Sequence, residues 1–203
     1  MIMKKIFLFL ASLLLSLYSS PIFGMLPENP LLEHEQGCWE TSITNKKTNK
    51  TLDVIVEWCP VEKLDDNTIE KIIDIYNHTF NYSLKITTKD IVEEKTKGYL
   101  ALLLKDKKNN VIGFAKFRLS TPDTYGAYLL NVCLIETCRG MGCGPLLIFK
   151  AIKKICPELK KITTLPLDTK TTYYEKLGFK IRPSKYPKKK QNIYPEYEYT
   201  FLN

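Results

Sequence analysis

The sequence predicts a mixed α/β fold, built as one domain from a chain of 203 residues. Two observations predict it. Short segments with the apolar–polar alternation of strands are interspersed with segments whose apolar residues lie three or four apart, as on one helix face. These segments follow the order β, α, α, three consecutive strands, α, β, α, β, β. One β-α-β crossover joined to antiparallel hairpins predicts a mixed sheet with helices on both faces.

The N-terminus has the layout of a secretory signal peptide. Two lysines precede an apolar stretch from Ile6 to Tyr18, and a short turn-prone segment ends at Gly24. We expect residues 1–24 to be removed and the protein to be exported, periplasmic or secreted. The alternative is an uncleaved anchor through residues 6–23, although the stretch is short for a transmembrane helix of about 20 residues.

The first half of the mature chain is predicted to begin irregularly. Residues 25–50 are polar, with Pro and Asn, and are expected to form an entry segment before a domain of residues 51–203. Thr51–Trp58 alternates as a strand does. Asp65 or Asp66 can cap a helix with one apolar face, and Thr88 can cap a shorter helix ending at Glu94. The apolar face of the longer helix consists of Ile69, Ile72, Ile73 and Tyr76.

A three-stranded meander and a β-α-β unit are predicted next. Apolar runs flank the polar sequence DKKNN and form a hairpin, and a turn at Thr121–Gly126 leads to the third strand. Pro145 suits the first turn of the following helix, and Pro157 ends it. A last helix is capped by Asp168 and closes at Gly178. The strands are Gly98–Lys105, Val111–Leu119, Ala127–Ile135, Lys161–Leu165, Phe179–Arg182 and Tyr197–Phe201, and the helix between the third and fourth of them is Gly144–Cys156.

The most informative segment is Arg139-Gly140-Met141-Gly142-Cys143-Gly144. It lies between a predicted strand and the start of a predicted helix. Glycines there let the backbone approach a phosphate, and the amides and dipole of the helix N-terminus favour negative charge. The spacing matches neither the dinucleotide fingerprint nor the P-loop. The segment alone therefore predicts an anion site of unspecified kind, or an ordinary strand-to-helix connection.

Two segments together carry a resemblance to a known family. Leu130–Leu134, followed by Arg139–Gly144, closely resembles the acetyl-CoA motif of the GNAT superfamily of acyltransferases. That motif is Arg or Gln, two residues, Gly, one residue, and Gly or Ala. Tyr173–Phe179 (YYEKLGF) resembles the second signature of the family, on the helix after the next strand. Strand order and helix positions fit from Thr51 to Phe201.

The resemblance implies a fold and a cofactor site. The sheet would be mostly antiparallel, with about six to seven strands. Counted from Thr51–Trp58, it would splay between the fourth strand, Ala127–Ile135, and the fifth, Lys161–Leu165. The pantetheine arm of acetyl-CoA would pair with the backbone of the fourth strand, and the glycine-rich loop would wrap the pyrophosphate. Acetyl-CoA is then a co-substrate, and no metal is required. The implied cofactor-binding residues are Val132, Cys133, Leu134, Arg139, Gly140, Met141, Gly142, Cys143 and Gly144.

Tyr174 occupies the position of the family's frequent tyrosine acid. The resemblance implies that its phenol gives a proton or a hydrogen bond to the departing thiolate of coenzyme A. Tyr173 is adjacent and points to another face of the helix, so one of the two is expected to be in the core.

The general base is not evident from the sequence. The position at which some family members carry a glutamate falls near Tyr128, and the position of a frequent asparagine falls on Leu167. Glu136, after the fourth strand, and His78, at the end of the first helix, are candidates, although each can equally be a solvated side chain. Asp168 is interpreted as a helix cap.

The six cysteines do not have metal-ligand spacing. Cys133, Cys138 and Cys143 recur every five residues with no C-x-x-C pair and no nearby histidine. A disulfide between Cys138 and Cys143 would distort the anion site and expose it to damage by oxidation. In an exported protein, Cys38 and Cys59 are the more plausible stabilising pair.

The net charge of +8 has a local source. The leader accounts for two lysines, and others cluster in the last hairpin loop with tyrosines nearby. A short lysine cluster is typical of a solvated loop, so nucleic acid is not expected as a partner. The loop residues are Lys185, Tyr186, Lys188, Lys189, Lys190 and Tyr194.

The sequence is therefore interpreted as an N-acetyltransferase that transfers an acetyl group from acetyl-CoA to a primary amine by direct attack. The amine acceptor, a small molecule or a protein, is not specified. The alternative is a non-catalytic acyl-CoA-binding domain that serves as an interaction module, which the missing base favours. A membrane would be contacted only through an uncleaved leader.

Overall fold

The computed structural model describes residues 36–45, 47–80, 85–94, 98–119, 125–166, 170–182 and 195–202. Within these ranges eight strands form one sheet: β1 Gly37–Thr44, β2 Thr51–Pro60, β3 Tyr99–Lys105, β4 Val111–Leu119, β5 Gly126–Leu134, β6 Lys161–Thr164, β7 Lys180–Ile181 and β8 Tyr197–Thr200. Their order in the sheet is β1-β2-β3-β4-β5-β6-β8-β7. Only β5 and β6 are parallel neighbours in this part of the chain. The predicted mixed, mostly antiparallel fold is confirmed.

Strand β1 corrects the expectation of an irregular entry segment. It pairs antiparallel with β2 along its full length, from Gly37 opposite Trp58 to Thr44 opposite Thr51. Its residues alternate between half-buried and exposed, so none has the low exposure of a core strand. The signal in the sequence was therefore weak, and the sheet has eight strands rather than the expected six to seven.

The first two helices cover one face of the sheet. Helix α1 spans Asp66–Thr79, and helix α2 spans Thr88–Glu94. Asp65 caps α1: its side chain accepts from the amide of Thr68 at 2.7 Å and from its hydroxyl at 3.0 Å. Helix α2 has the predicted bounds, but its predicted cap was one residue out: the amide and the hydroxyl of Thr87, rather than of Thr88, both donate to the Asp90 carboxylate at 2.7 Å.

The other two helices cover the opposite face. Helix α3 follows the glycine-rich loop in three consecutive segments, Cys143–Pro145, Leu146–Ala151 and Ile152–Ile155, and the middle segment is π-helical. Helix α4 spans Thr171–Lys176. It ends as predicted at Gly178, whose φ of 91° is left-handed. The amides of Gly178 and Phe179 return to the carbonyls of Glu175 and Tyr174, the Schellman arrangement.

Two apolar cores lie on the two faces of the sheet. The smaller core includes Ile69 and Ile72 of α1 together with Leu103 and Phe114 of the sheet. The larger core packs the apolar side of α3 and α4 against the other face, with Leu147 among its fully buried members. Helices on both faces were predicted, because a single crossover places α3 opposite the helices of the first half.

The sheet opens between β5 and β6. Their pairing covers only Gly126–Leu129 of β5, and ends where Leu129 lies opposite Thr164. On its other side, β5 stays paired with β4 as far as Leu134, although Leu130 bulges out of that ladder. The backbone of β5 from Leu130 onward therefore faces a gap rather than a strand, as the expected splay requires.

Several expectations lie outside the described residues. They are the leader of residues 1–24, most of the turn at Thr121–Gly126, the position of Leu167, the cap at Asp168, and the lysine-rich loop within residues 183–194. No helix in the described ranges is both long enough and apolar enough to span a membrane.

Candidate active site

A cavity of about 630 Å³ fills the gap between β5 and β6. The second half of β5 forms one wall, and Thr164, Leu165 and Pro166 at the end of β6 form another. The C-terminal end of α1 and the start of α4 close its sides, with Phe80 and Tyr173 in the lining. The glycine-rich loop forms its far end. One cavity thus joins an anion-binding loop, an open strand edge and two tyrosines.

The loop has the conformation that an anion site needs. Gly140 and Gly142 have φ values of 75° and 94°, which are strained for residues with a side chain. Among the described residues, the amides of Gly140, Gly142 and Gly144 have no hydrogen-bond acceptor. If a side chain were added at Gly140, its Cβ atom would meet no other atom within 4 Å. A Cβ atom added at Gly144 would collide with the Tyr173 hydroxyl. Unpartnered amides at a helix N-terminus fit a pyrophosphate group.

The structure brings most of the predicted cofactor-binding residues to the cavity wall. Arg139 also lies there, with Nε donating to the carbonyl of Leu134 at 3.3 Å. The side chains of Cys133, Met141 and Cys143 instead face the cores, because strand alternation and the turn of the loop direct them inward. Those at the wall are Val132, Leu134, Arg139, Gly140, Gly142 and Gly144.

Tyr174 lies at the innermost part of the gap. Its side chain is buried and lines the cavity together with Thr164, whose hydroxyl donates to the carbonyl of Leu129 at 3.0 Å. Burial, with smaller effects from Tyr173 and Cys133, raises the pKa of the phenol well above 10. The group therefore stays protonated at working pH and can donate a hydrogen bond.

The adjacency of the two tyrosines predicted one core member, and that member is Tyr174. Tyr173 is the more exposed of the two. It is 39 % exposed and lines the same cavity, with its ring perpendicular to that of Tyr174 at a centroid distance of 5.3 Å. Its hydroxyl lies over Gly144 at the start of α3. Tyr174 belongs to both the core and the cavity wall, so both tyrosines reach the site.

None of the base candidates reaches the cavity. His78 is exposed, with Nδ1 2.9 Å from the carbonyl of Asp74, while its neighbours Thr79 and Phe80 line the wall. Glu136 is exposed in a short 3-10 turn before the loop. Tyr128 packs under Arg118 at 5.3 Å, away from the gap. The described lining contains no carboxylate and no histidine.

Asn131 is a site residue that the sequence interpretation missed. It lines the cavity just after the bulge at Leu130. Its Oδ1 atom is the one buried side-chain N or O atom of the described residues with no hydrogen-bond partner. A buried acceptor without a hydrogen-bond donor lowers the stability of the folded state, and a bound ligand that donates to it would remove this penalty. A single polar residue in the apolar strand GAYLLNVCL was the signal that could have identified it.

The structure holds all six cysteines as free thiols. Cys38 lies opposite Glu57 in the β1–β2 ladder, so Cys59 is two positions away along β2 and the expected disulfide between them is wrong. Cys138 and Cys143 are both buried, with no bond between their sulfurs. The described residues contain no group of His, Cys, Asp and Glu side chains arranged to hold a metal.

Comparisons with known proteins identify the class. Residues 69–179 match the acetyltransferase (GNAT) family model, so the chain belongs to that family. The matched range includes α1 from Ile69 onward, the open edge of β5, the glycine-rich loop and both tyrosines. No curated protein matches the chain.

Solved structures share the fold at low sequence identity. Tetrahymena GCN5 is 16 % identical with a TM-score of 0.52, over 79 % of this chain and 94 % of that one. The GNAT domain of PAT from S. lividans is 15 % identical with a TM-score of 0.54, over 80 % of this chain and 97 % of that one. Ard1 from Thermoplasma volcanium is 18 % identical with a TM-score of 0.52, over 73 % and 99 %. At these identities the likeness concerns the fold alone.

Proposed function

We propose that the protein is an N-acetyltransferase that transfers the acetyl group of acetyl-CoA to a primary amine. The observation that carries the proposal is the single cavity that joins the unpartnered amides of the loop, the open edge of β5 and the Tyr174 hydroxyl. The loop would hold the pyrophosphate, and the backbone at Val132 and Leu134 would pair with the pantetheine arm. Family membership supports the same assignment.

The chemistry needs few groups from the protein. The amine nitrogen attacks the thioester carbonyl carbon, a C–N bond forms, and the C–S bond breaks as the intermediate collapses. Tyr174, which its raised pKa keeps protonated, would donate a hydrogen bond to the departing thiolate of coenzyme A, and the thiolate would take its proton from water. The amine must lose a proton, and no carboxylate or histidine lies in the described lining, so water in the cavity would carry it away. The products are the acetylated amine and free coenzyme A.

Calorimetry on the chain with acetyl-CoA tests the proposal most directly. We expect saturable binding to one site, followed by thiol release when amines are added in turn: an amino acid, a polyamine, an aminoglycoside and a peptide with a free N-terminus. Release must depend on an amine and yield an acetylated product by mass spectrometry. An absence of binding at millimolar acetyl-CoA would overturn the proposal.

A second candidate is a non-catalytic domain that binds acyl-CoA and serves as an interaction module. The absence of a carboxylate or histidine from the described lining favours it. The two candidates differ in one result. The module would bind acetyl-CoA and coenzyme A alike, and no amine would accelerate thiol release above the rate of hydrolysis.

A further inference from the structure

We propose that Asn45 is a positioning residue for the coenzyme A site, which it serves through the loop Arg139–Gly144. The inference rests on the proposed function, and it adds a component from outside the matched family range, because Asn45 precedes residue 69. Asn45 lies in the turn between β1 and β2, far from the loop in sequence.

Contacts made by the Asn45 amide carry the proposal. Its Nδ2 atom donates to the carbonyl of Gly140 at 3.1 Å and lies 3.8 Å from the sulfur of Met141. Its Oδ1 atom accepts from the amides of Lys47 at 2.8 Å and Thr48 at 3.3 Å. One side chain therefore closes the β1–β2 turn and attaches that turn to the glycine-rich loop.

The contact with Gly140 fixes one peptide plane of the loop. The carbonyl of Gly140 is held by Asn45, and the amide on the same peptide, that of Met141, donates to the carbonyl of Cys138 at 3.4 Å. The peptides on either side carry the amides of Gly140 and Gly142, which have no acceptor among the described residues. Holding the central plane thus sets the direction of the two amides that would meet the pyrophosphate.

A second contact from the same hairpin supports the loop. The side chain of Ile43 lies 3.3 Å from the position of a Cβ at Gly142. Gly140 itself is exposed, and a Cβ built on it meets nothing within 4 Å, so its conformation is not held by packing. Glycines at positive φ are conformationally free, and ordering them on binding weakens affinity unless the protein has ordered them beforehand. The hydrogen bond from Asn45 supplies that order.

Two variants at one position separate the role in the loop from the role in the turn. Asn45→Asp keeps the acceptor that closes the β1–β2 turn and loses the donor to Gly140, whereas Asn45→Ala loses both without adding charge. Thr48→Ala is the matched control, since only the backbone of Thr48 takes part in these contacts. All three are first checked for a cooperative thermal transition.

Two measurements then test the proposal. Calorimetry compares the binding of coenzyme A with that of pantetheine, which lacks the pyrophosphate, and hydrogen exchange measures the order of the loop amides. We expect both Asn45 variants to bind coenzyme A about tenfold more weakly, the effect of one lost hydrogen bond. Pantetheine binding should be unchanged, and amides of residues 139–144 should exchange faster without ligand. Wild-type affinity in both variants, unchanged loop exchange, or an equal loss of pantetheine affinity would overturn the role of Asn45. Failure of the wild-type chain to bind coenzyme A would instead remove the proposed function.

Discussion

The hydroxyl of Thr164 donates a hydrogen bond of 3.0 Å to the carbonyl of Leu129. These two residues form the last pair between β5 and β6. The bond therefore joins the strands at the point where they separate, and the buried residues Thr164 and Tyr174 both line the cavity that opens there. The side chain of Thr164 thus marks the inner limit of the cavity that holds the proposed acid.

Tyr174→Phe should lower kcat by about a hundredfold while leaving the affinity for acetyl-CoA within about twofold. The ring still fills its place in the core, and only the hydroxyl that would donate to the thiolate is removed. Turnover with an accepted amine and calorimetry with coenzyme A measure the two quantities.

Tyr173→Phe is the comparison for that variant, because Tyr173 lines the same cavity and has the same chemistry. Its turnover should fall much less. Unchanged turnover in Tyr174→Phe would remove Tyr174 as the acid, and a loss confined to Tyr173→Phe would transfer the role to its neighbour.

Gly142→Glu should abolish binding of coenzyme A. At φ 94° any side chain is strained, a Cβ there meets Ile43 at 3.3 Å, and the added carboxylate would repel a phosphate. Gly140→Ala is the milder control, since a Cβ at Gly140 has open space around it. Retention of micromolar affinity by folded Gly142→Glu would show that the phosphate lies elsewhere.

Asn131→Leu should stabilise the protein. The buried Oδ1 atom has no partner in the described structure, and removing an unsatisfied acceptor of this kind is worth about 1 kcal/mol or more in the free energy of unfolding. Denaturant unfolding measures it. Asn77→Leu should instead destabilise the protein. The Asn77 side chain accepts a hydrogen bond from the amide of Ile86 at 3.0 Å and donates one to its carbonyl at 3.2 Å, and both would be lost. If both variants lose stability equally, the Asn131 acceptor is satisfied in solution.

Cys38 should be the thiol that reacts with a disulfide reagent in the native protein at pH 8. It is the exposed cysteine, whereas the other five are buried. Burial raises the pKa of Cys59 to about 11 and those of Cys133 and Cys143 to about 12, so their reactive thiolates are scarce. The burial and raised pKa values of these thiols argue against the oxidative damage expected at the loop. Rapid labelling of Cys143 without denaturant would contradict this prediction.

The cap of α1 should make part of the free energy of unfolding depend on pH, and that part should be lost in acid. Hydrogen bonds from Thr68 to its carboxylate lower the pKa of Asp65. A lowered folded-state pKa means that the stabilisation is present above the unfolded value of about 3.9 and is lost as the pH falls through the folded value. Asp65→Ala should cost about 1 kcal/mol at pH 7. Asp65→Asn should change the free energy of unfolding little at pH 7, and its stability should not show the additional loss in acid. Unfolding curves measured between pH 7 and pH 3 would show both effects.

The sequence predicted the elements whose signals are local. Caps, glycines and alternation located α1, the β3–β4 hairpin and the end of α4 at Gly178, because each depends on residues close to it in the chain. Strand β1 was missed because its alternation is shallow and its burial comes from pairing with β2. The bounds of α2 were predicted correctly, but its cap was misplaced by one residue because Thr87 and Thr88 are chemically equal as caps.

The site was predictable where its chemistry belongs to the backbone. The glycines of the loop were evident from the sequence, and the open edge of β5 was expected because the resemblance to the GNAT family implies it. The side-chain contributions of Thr164 and Asn45 were not evident, since each depends on a partner distant in sequence. Asn131 was missed although a polar residue in an apolar strand was visible in the sequence. His78 was a reasonable candidate by position along the chain, but the helix turns its ring toward Asp74 and presents Thr79 and Phe80 instead.

The open edge of β5 could promote aggregation, and nearby residues reduce that risk. Unpaired backbone groups in a strand invite pairing with another chain, which is a route to aggregation. The bulge at Leu130 disturbs the regular spacing at the mouth of the gap, and Pro166, just beyond β6, has no amide to offer an incoming strand. Along this edge the cavity leaves room for a thin extended ligand, whereas the bulge and the proline disfavour the regular ladder by which copies of the chain would associate.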